Sequence, residues 1–465
     1  MPSPSTTIER SVLLPASVED AFAWHERPGA LERLWPPWER LEVLEQSGGI
    51  RDGGRAVFRV RAGPASFRWV ARHRDYLPSR QFTDEQLEGP FSQWTHLHRF
   101  EPAGARACRL TDRVEYRAPF GILGRAAAPW LVRPRLERMF DYRHALLGED
   151  LAAHAGFPDA RLHVAVTGAS GLLGSSLVPF LSTGGHRVTR LVRGAPREGE
   201  LRWDPAGGQV DAAELEGVDA VVHLAGENVG ARWTRERKRR IRESRADGTR
   251  VLAETLARMR RPPRVLVSAS AIGVYGDRGS EILTEMSPPP GASSDFLVAV
   301  GTEWEAATEP ARAAGIRVVL LRFGIILTPA GGALGRMLPA FRLGGGGPLG
   351  SGDQWMSWIA IDDAAGAVHH ALLSDSLEGP VNATAPEPVT NREFAATLGR
   401  VLGRPALVPV PGAALRLAFG EMADVALLGS QRVIPRRLVE AGYRHRHPAL
   451  EGALRFLLGR QAAAS

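Results

Sequence analysis

The sequence predicts a doubly wound parallel α/β sheet with a small C-terminal lid domain, preceded by a separate α+β domain. Residues 161–181 read as an apolar strand, a glycine-punctuated turn and a helix, and strands and helices alternate after them. The residues before 118 instead form a series of strand-like segments followed by a long helix. The chain has 465 residues, enough for about two to four domains. We predict domains at residues 1–155, 161–402 and 403–465.

The first domain begins with a strand from Ile8 to Leu14 and a short helix that Ser17 is placed to cap. Further strands are predicted where apolar and polar residues alternate between Gly, Pro or Asp turns, at residues 41–45, 55–61, 67–77, 81–87, 95–101 and 108–116. A long helix follows, with Pro134 near its start and an apolar stripe of Leu136, Met139, Phe140, Leu146, Leu147 and Leu151. This order predicts a curved antiparallel sheet closed by the long helix.

The order of strand, short helices, meander and long helix resembles the START-like (Bet v 1-like, polyketide cyclase) helix-grip fold. Domains of that kind commonly enclose an apolar ligand, so the resemblance implies an apolar ligand in this domain. The aromatic residues that would line its cavity are Trp69, Phe82, Trp94 and Phe100. The alternative is that these aromatic residues are ordinary core.

The glycine-rich turn of the second domain has the features of a nucleotide cradle. Gly168 would allow a tight turn, Gly171 would let the backbone approach a pyrophosphate, and Gly174 would let the helix pack against the strand. The N–H groups and the dipole of that helix would face the phosphates. The residues predicted to bind the dinucleotide at this turn are Thr167, Gly168, Ser170, Gly171, Leu172, Leu173 and Gly174.

Arg193 follows the second strand, residues 187–192, where an acidic residue would bind the 2′-hydroxyl of NAD. An arginine there favours the 2′-phosphate of NADP, so we expect NADP, with NAD as the alternative if Arg193 is only a surface residue. A third strand, residues 218–224, and two further strands, at 264–268 and 317–323, continue the alternation with helices. Their carboxyl ends add Leu224, Ala225, Gly226, Ser268 and Arg322 to the predicted cofactor site.

Residues 167–174, 223–226, 268–276 and 358–363 together resemble an extended short-chain dehydrogenase/reductase, which has a Rossmann fold. The phrases at 224–229, 232–234, 335–354, 420–424 and 430–433 more narrowly resemble its epimerase-like branch, called NAD-dependent epimerase/dehydratase-like, whose members end in a small domain of unknown function. The resemblance runs from Arg161 to the C-terminus. It implies an NADP-dependent oxidoreductase or epimerase-like enzyme that acts on the carbonyl or alcohol of an unidentified small-molecule substrate.

The catalytic residues depart from that family's pattern. Family members place a Ser at the end of the fifth strand and, further on, Tyr-x-x-x-Lys. Ser270 matches the Ser, but Phe296 and Val300 stand in the Tyr and Lys positions, and neither can donate a proton. Tyr275 lies on the same loop as Ser270, so we predict Ser270 and Tyr275 as the catalytic residues, with a packed ring as the alternative for Tyr275. The alternative function is a non-catalytic NADP(H)-binding redox sensor or scaffold.

Composition argues against several other classes of protein. The formal net charge of +7 is carried almost wholly by arginine, and the dense run at 235–245 contains Glu236 and Glu243, as is typical of a solvated helix, so we expect no nucleic-acid partner. Cys108 is the only cysteine and no HExxH spacing occurs, so we expect no metal. No apolar run approaches the roughly 18 residues of a membrane span, which predicts a cytoplasmic protein without a membrane partner. The sequence does not predict an oligomeric state.

Overall fold

The structure, a computed structural model, describes residues 5–39, 41–62, 65–119, 130–205, 207–210, 212–291 and 295–460. It divides into two compact units. The first comprises residues 1–159, 182–185 and 458–465, and the second comprises residues 160–181 and 186–457. A separate domain from residue 403 onward stays a prediction, because these residues cluster with the second unit as far as residue 457.

The first unit is a seven-stranded antiparallel sheet with helices packed on it, in the spatial order β1-β7-β6-β5-β4-β3-β2. Its strands are β1 (Thr6–Leu14), β2 (Leu41–Ser47), β3 (Arg55–Ala62), β4 (Ala65–Leu77), β5 (Gln81–Glu88), β6 (Gln93–Pro102) and β7 (Cys108–Arg117). Its helices are α1 (Val18–Glu26), α2 (Ala30–Leu34) and α3 (Arg133–Ala155). This is the predicted helix-grip fold.

Local sequence accounts for these elements. Ser17 Oγ accepts a hydrogen bond from the Asp20 amide and caps α1, and Pro134 lies in the first turn of α3, where a missing N–H costs nothing. The predicted stripe of α3 is buried apart from Met139, which is partly buried. Leu147 and Leu151 of this stripe lie in one core cluster with Phe82, Phe100 and Leu110 of β5 to β7. Leu136 and Phe140 lie in a second core cluster with side chains of β6 and β7.

The second unit is built on an eight-stranded sheet. Its strands in chain order, with three short two-stranded pairs included, are β8 (His163–Thr167), β9 (Arg187–Val192), β10 (Glu200–Asp204), β11 (Gln209–Val210), β12 (Ala220–His223), β13 (Val265–Ala271), β14 (Ile282–Leu283), β15 (Arg317–Phe323), β16 (Ile325–Leu327), β17 (Trp355–Met356), β18 (Trp358–Ala360), β19 (Gly379–Ala383), β20 (Val389–Thr390) and β21 (Arg432–Val433). The main sheet has the order β11-β10-β9-β8-β12-β13-β15-β19, parallel except at β11.

Helices connect these strands, and the sheet residues of β8, β12, β13 and β15 are almost wholly buried, as expected of a parallel sheet covered on both faces. The helices are α4 (Gly174–Thr183), α5 (Arg235–Ala257), α6 (Phe296–Ala306), α7 (Glu309–Ala313), α8 (Gly332–Arg342), α9 (Ile361–Leu373), α10 (Asn391–Leu402), α11 (Gly412–Phe419), α12 (Arg436–Glu440) and α13 (Leu450–Leu457). Among the residues described, no helix is both long and apolar enough to cross a membrane.

The strand order places the functional site. Chain order runs outward in one direction from β8 through β9 and β10, and in the other direction from β12 through β13, β15 and β19. The order therefore reverses between β8 and β12, and ligands of doubly wound sheets bind in the crevice at the carboxyl ends of such strands. The sequence predicted this doubly wound sheet but neither β10 nor β11, so the strand at Ala220–His223 is the fifth strand of the sheet in chain order rather than the third.

Candidate functional site

The glycine turn lies at the carboxyl end of β8. Gly168 has a φ of +68°, and a Cβ there would lie 2.8 Å from the Leu224 carbonyl carbon. A Cβ at Gly174 would lie 2.3 Å from the Gly168 oxygen, so the chain's own packing demands glycine at both positions. Gly171 is exposed, and a Cβ there would meet only the Gly168 oxygen, at 3.1 Å. Backbone packing therefore requires glycine at the first and third positions. The second glycine is exposed, so that a pyrophosphate can approach its backbone.

Thr167 and His223 join the two strand ends beneath this turn. Thr167 Oγ1 accepts hydrogen bonds from the amides of Leu224 and Ala225 and lies 2.8 Å from His223 Nδ1. His223 Nε2 lies 3.0 Å from Thr249 Oγ1, and burial lowers the pKa of His223 to about 4, so the ring is neutral at physiological pH. The Thr167 side chain is fully buried and its hydroxyl holds the cradle in shape.

The other residues predicted to bind the cofactor surround the crevice at different depths. Ser170 and Gly226 are exposed, Leu172, Leu224 and Ala225 are half-buried, and Leu173 is buried. Ser268 is fully buried in β13 and its hydroxyl contacts the backbone oxygen of Ala269. The structure therefore brings the residues after β8 and β12 to one crevice, with Ser268 inside the sheet beside them.

Arg193 comes directly after β9, whose final residues pair with the end of β8. Its side chain is exposed and makes no hydrogen bond or ion pair with another described residue. An arginine at this edge is available to an anionic group bound near the turn.

Ser270 and Arg322 belong to a buried hydrogen-bonded network at the neighbouring strand ends. They are partners in the register of β13 and β15, and both contact Glu305 of α6. Ser270 Oγ donates to Glu305 Oε1 at 2.7 Å, and Arg322 donates to both carboxylate oxygens at 2.7 Å. Sequence reasoning missed Glu305, because it lies 35 and 17 residues from its two partners.

Tyr275 extends the same network. Its hydroxyl accepts a hydrogen bond from Arg322 Nη1 at 2.9 Å and donates to Asn382 Oδ1 at 2.8 Å. The ring is fully buried among Ile272, Val274, Leu283 and Val433. Burial raises the pKa of the phenol, against the opposing charge of Arg322. The catalytic role of Tyr275 stays a prediction, and this geometry favours the alternative of a packed ring.

The positions of the absent Tyr and Lys lie on α6. Phe296 packs edge-on against Trp233, with ring centroids 5.1 Å apart, and Val300 is buried in the same apolar cluster. Lys238, the only lysine in the chain, extends from α5 so that Nζ lies 4.9 Å from the Phe296 ring centroid, and it forms an ion pair with Glu421. Neither Lys238 nor Glu421 was predicted, because nothing local in the sequence connects them to Phe296.

The aromatic residues predicted to line an apolar cavity in the first unit pack on one another. Trp69 stacks on Phe58 with centroids 5.7 Å apart and meets Trp94 edge-on at 5.3 Å. Phe82 and Phe100 belong to a core cluster with Trp24. These contacts are those of an ordinary core, and the apolar ligand stays a prediction.

Three segments of the chain match known protein families. Residues 14–140 match the polyketide cyclase / dehydrase and lipid transport family, and residues 164–383 match the NAD dependent epimerase/dehydratase family. Residues 410–457 match a domain of unknown function, DUF1731. These matches confirm the two resemblances predicted from the sequence and the small C-terminal domain that accompanies the second.

Two curated relatives share the second part of the chain. Epimerase family protein MT2273 of Mycobacterium tuberculosis is 44% identical over 293 residues, which cover 63% of this chain and 96% of the relative. Human epimerase family protein SDR39U1 is 39% identical over 299 residues, which cover 63% of this chain and 99% of the relative.

Solved structures extend the similarity. A nucleoside-diphosphate sugar epimerase from Corynebacterium glutamicum is 35% identical with a TM-score of 0.81, and the match covers 98% of this chain and 91% of that chain. The structure of human SDR39U1 (isoform2) with NADPH is 37% identical with a TM-score of 0.58, and the match covers 64% of this chain and 99% of that chain.

Proposed function

Because the chain belongs to the NAD dependent epimerase/dehydratase family, we propose that it is an NADP-dependent enzyme that moves a hydride to or from a carbonyl or alcohol carbon of a small molecule. The observation that carries the proposal is the glycine turn at the point where the strand order reverses. Its second glycine is exposed, and its first and third are required by backbone contacts. The NADPH in the related human structure supports the same cofactor class.

The residues present fit such a cofactor. Gly168, Gly171 and the start of α4 would hold the pyrophosphate, since the turn leaves space over Gly171 and the helix presents its positive dipole end there. When bound, the nicotinamide supplies or accepts the hydride. The neutral His223 and the Thr167 hydroxyl keep the crevice floor uncharged and rigid, which favours a fixed position of the bound dinucleotide.

We assign the choice of NADP over NAD to Arg193. An exposed guanidinium beyond the end of β9 can form charge-assisted hydrogen bonds to a 2′-phosphate, each worth about 1.5–3 kcal/mol. Arg193→Asp is therefore expected to weaken NADPH binding about 10- to 100-fold while changing NADH binding little. Fluorescence titration with both cofactors measures the effect. Arg190→Asp is the matched control, because Arg190 is an exposed arginine within β9, three residues before Arg193. Equal wild-type affinities for NADPH and NADH would remove this role from Arg193.

Lys238 places a cationic group beside Phe296, which stands in the position of the missing tyrosine. Its ammonium faces Phe296, and the segment that carries Glu421 fixes it by an ion pair. An ammonium at the substrate oxygen stabilises the negative charge that develops there during hydride transfer. We therefore assign to Lys238 the electrostatic part of the lost Tyr-x-x-x-Lys pair, and to Ser270 and Tyr275 the support of the site through Glu305 and Arg322.

The variant Tyr275→Phe distinguishes a supporting role of Tyr275 from a catalytic role in which its phenol exchanges a proton with the substrate. The variant loses two buried hydrogen bonds, so the melting temperature is expected to fall while turnover changes less than about tenfold. A positioned general acid would instead cost about 10²- to 10⁴-fold in rate. Lys238→Met is the matched variant, with an expected loss of turnover of about 10²-fold and a small change in melting temperature. A stable Tyr275→Phe protein with turnover lowered 10³-fold would make Tyr275 the acid.

The substrate panel begins with nucleotide-linked sugars. The similarity to a nucleoside-diphosphate sugar epimerase over almost the whole chain supports that class, followed by simple ketones and aldehydes. The experiment that tests the function measures consumption of NADPH, and exchange of its transferable hydrogen, in the presence of each compound.

A non-catalytic redox sensor is the second candidate. The buried Val300 and the packed Phe296 favour it, since they fill the positions of both catalytic side chains with apolar contacts. Tight, selective binding of NADPH without hydride exchange over the whole panel would support the sensor and contradict the enzyme.

A further inference from the structure

A group of buried polar side chains interrupts the apolar face of the sheet in the first unit. Asp84 on β5 is the register partner of His96 on β6, and His98, two residues further along β6, is the partner of Asp112 on β7. Directly paired residues, and residues two apart in a strand, share one face of a sheet. His96, His98 and Asp112 are each less than 9% exposed, and the Asp84 side chain is 20% exposed. The four side chains therefore form one cluster inside the helix-grip fold.

Three of these residues have the spacing of metal ligands. Asp84 Oδ2 lies 3.2 Å from His96 Nδ1 and 3.3 Å from His98 Nε2. One ligand atom from each of the three residues lies within 4.8 Å of the other two. Coordination bonds of about 2.0–2.2 Å at tetrahedral angles place neighbouring ligand atoms roughly 3.3–3.6 Å apart. The two short edges of this triangle thus need little adjustment to accept an ion.

The fourth residue, Asp112, lies beside the second nitrogen of each imidazole ring, the one that does not face Asp84. Asp112 Oδ1 lies 3.0 Å from His96 Nε2 and 2.7 Å from His98 Nδ1. Its second oxygen lies 2.6 Å from His144 Nε2 of α3. Histidines that bind metals typically donate their other ring N–H to a carboxylate, which fixes the tautomer and the orientation of the ring. Asp112 makes this hydrogen bond with His96, lies within ion-pair distance of His98, and is itself bonded to His144.

Aromatic rings enclose the cluster. Phe82 stacks on His98 with ring centroids 4.2 Å apart, and Phe140 meets His96 edge-on at 5.5 Å. These ring contacts restrict rotation of the two imidazoles, in addition to the polar contacts at their nitrogen atoms. An apolar wall also strengthens the attraction between a bound cation and the carboxylates, because little water screens it.

We propose that Asp84, His96 and His98 bind a divalent transition-metal ion such as Zn²⁺ or Fe²⁺. Two imidazoles and one carboxylate are a ligand set used for both ions, and three protein ligands leave at least one coordination position for water or for a substrate oxygen. The site belongs to the first unit and is independent of the proposed hydride transfer. The sequence-based expectation of no metal considered helical HExxH spacing and did not consider His-x-His on a strand facing carboxylates on both neighbouring strands.

The test uses the full chain, stripped of metal with a chelator and titrated with Zn²⁺ in a calorimeter and with Co²⁺ in a spectrophotometer. One equivalent of each ion is expected to bind, with visible Co²⁺ bands of nitrogen and oxygen ligation, and a tenfold excess of Mg²⁺ should not displace it. Asp84→Asn and His98→Gln are each expected to weaken Zn²⁺ binding at least about 100-fold. His370→Gln is the control, because His370 is a half-buried histidine of the second unit whose Nε2 lies 3.0 Å from the Ala441 carbonyl oxygen.

Zn²⁺ binding of less than one-tenth of an equivalent to the wild-type chain would overturn the proposal. A full equivalent retained by the folded Asp84→Asn, His98→Gln double variant would also overturn it, since the ion would then lie elsewhere. If the variants do not fold, the wild-type titration decides, because absence of the Co²⁺ bands or of a Zn²⁺-dependent rise in the melting temperature of the first unit contradicts the site.

Discussion

Gly171→Val is expected to lower the affinity for NADPH at least about 100-fold and to leave the fold intact. Gly171 is exposed, its φ is not in the left-handed region, and a Cβ there meets only the Gly168 oxygen at 3.1 Å. The turn can accept a side chain by a shift of a few tenths of an ångström. The rest of the valine side chain would then occupy the space in which a pyrophosphate must approach the backbone. Binding is measured by quenching or enhancement of NADPH fluorescence, and folding by circular dichroism.

Gly174→Val is the matched control, because the third glycine differs from the second in a defined way. A Cβ at Gly174 would lie 2.3 Å from the Gly168 oxygen and 2.7 Å from Ala169 Cα, so this variant should lose stability together with binding. A folded Gly171→Val protein with wild-type affinity would show that no dinucleotide approaches this turn, and the proposed function would lose its main support.

Much of the first unit could be predicted because short stretches of its sequence are enough to identify each strand. The alternation of apolar and polar residues has the period of a strand, and Gly, Pro or Asp residues separate the strands, so the predicted limits of β3, β5 and β7 lie within one residue of those observed. The glycine turn was predictable for a similar reason. Its three glycines, the strand before it and the helix after it lie within about 20 consecutive residues, so the pattern of strand, glycines and helix is visible in one short segment.

The networks could not be predicted because they depend on strand register and helix packing. Glu305 has no local feature that connects it to Ser270 and Arg322, and the contact arises only when α6 packs beside β13 and β15. The cluster around His96 has a visible local part, the His-x-His alternation, but its carboxylates depend on the pairing of β5 to β7. Strand β10 was missed because its five residues alternate weakly and only Trp203 is fully buried.

Arg322→Met is expected to destabilise the second unit by about 3–5 kcal/mol. Arg322 is 4% exposed and holds the Glu305 carboxylate with two parallel hydrogen bonds, so its removal leaves a largely buried anion without its counter-ion. The hydroxyl of Tyr275 also loses a donor. Calorimetric unfolding of the full chain measures the effect, and the transition that NADPH shifts upward identifies the second unit. Arg312→Met, which breaks an exposed pair with Glu309, is the control, with an expected change below about 1 kcal/mol.

The double variant Arg322→Met, Glu305→Leu tests the reason for this loss. If the cost comes from an uncompensated charge, replacing both partners by apolar side chains should recover most of the stability, because a buried ion pair adds little over packed apolar groups of similar volume. Ser270 then loses its acceptor, so about 1 kcal/mol should remain lost. A double variant as unstable as Arg322→Met alone would mean that Arg322 stabilises the unit through its bond to Tyr275 and its packing on that ring rather than through Glu305. The network would then be centred on Tyr275, whose substitution by Phe should in that case cost most of the same stability.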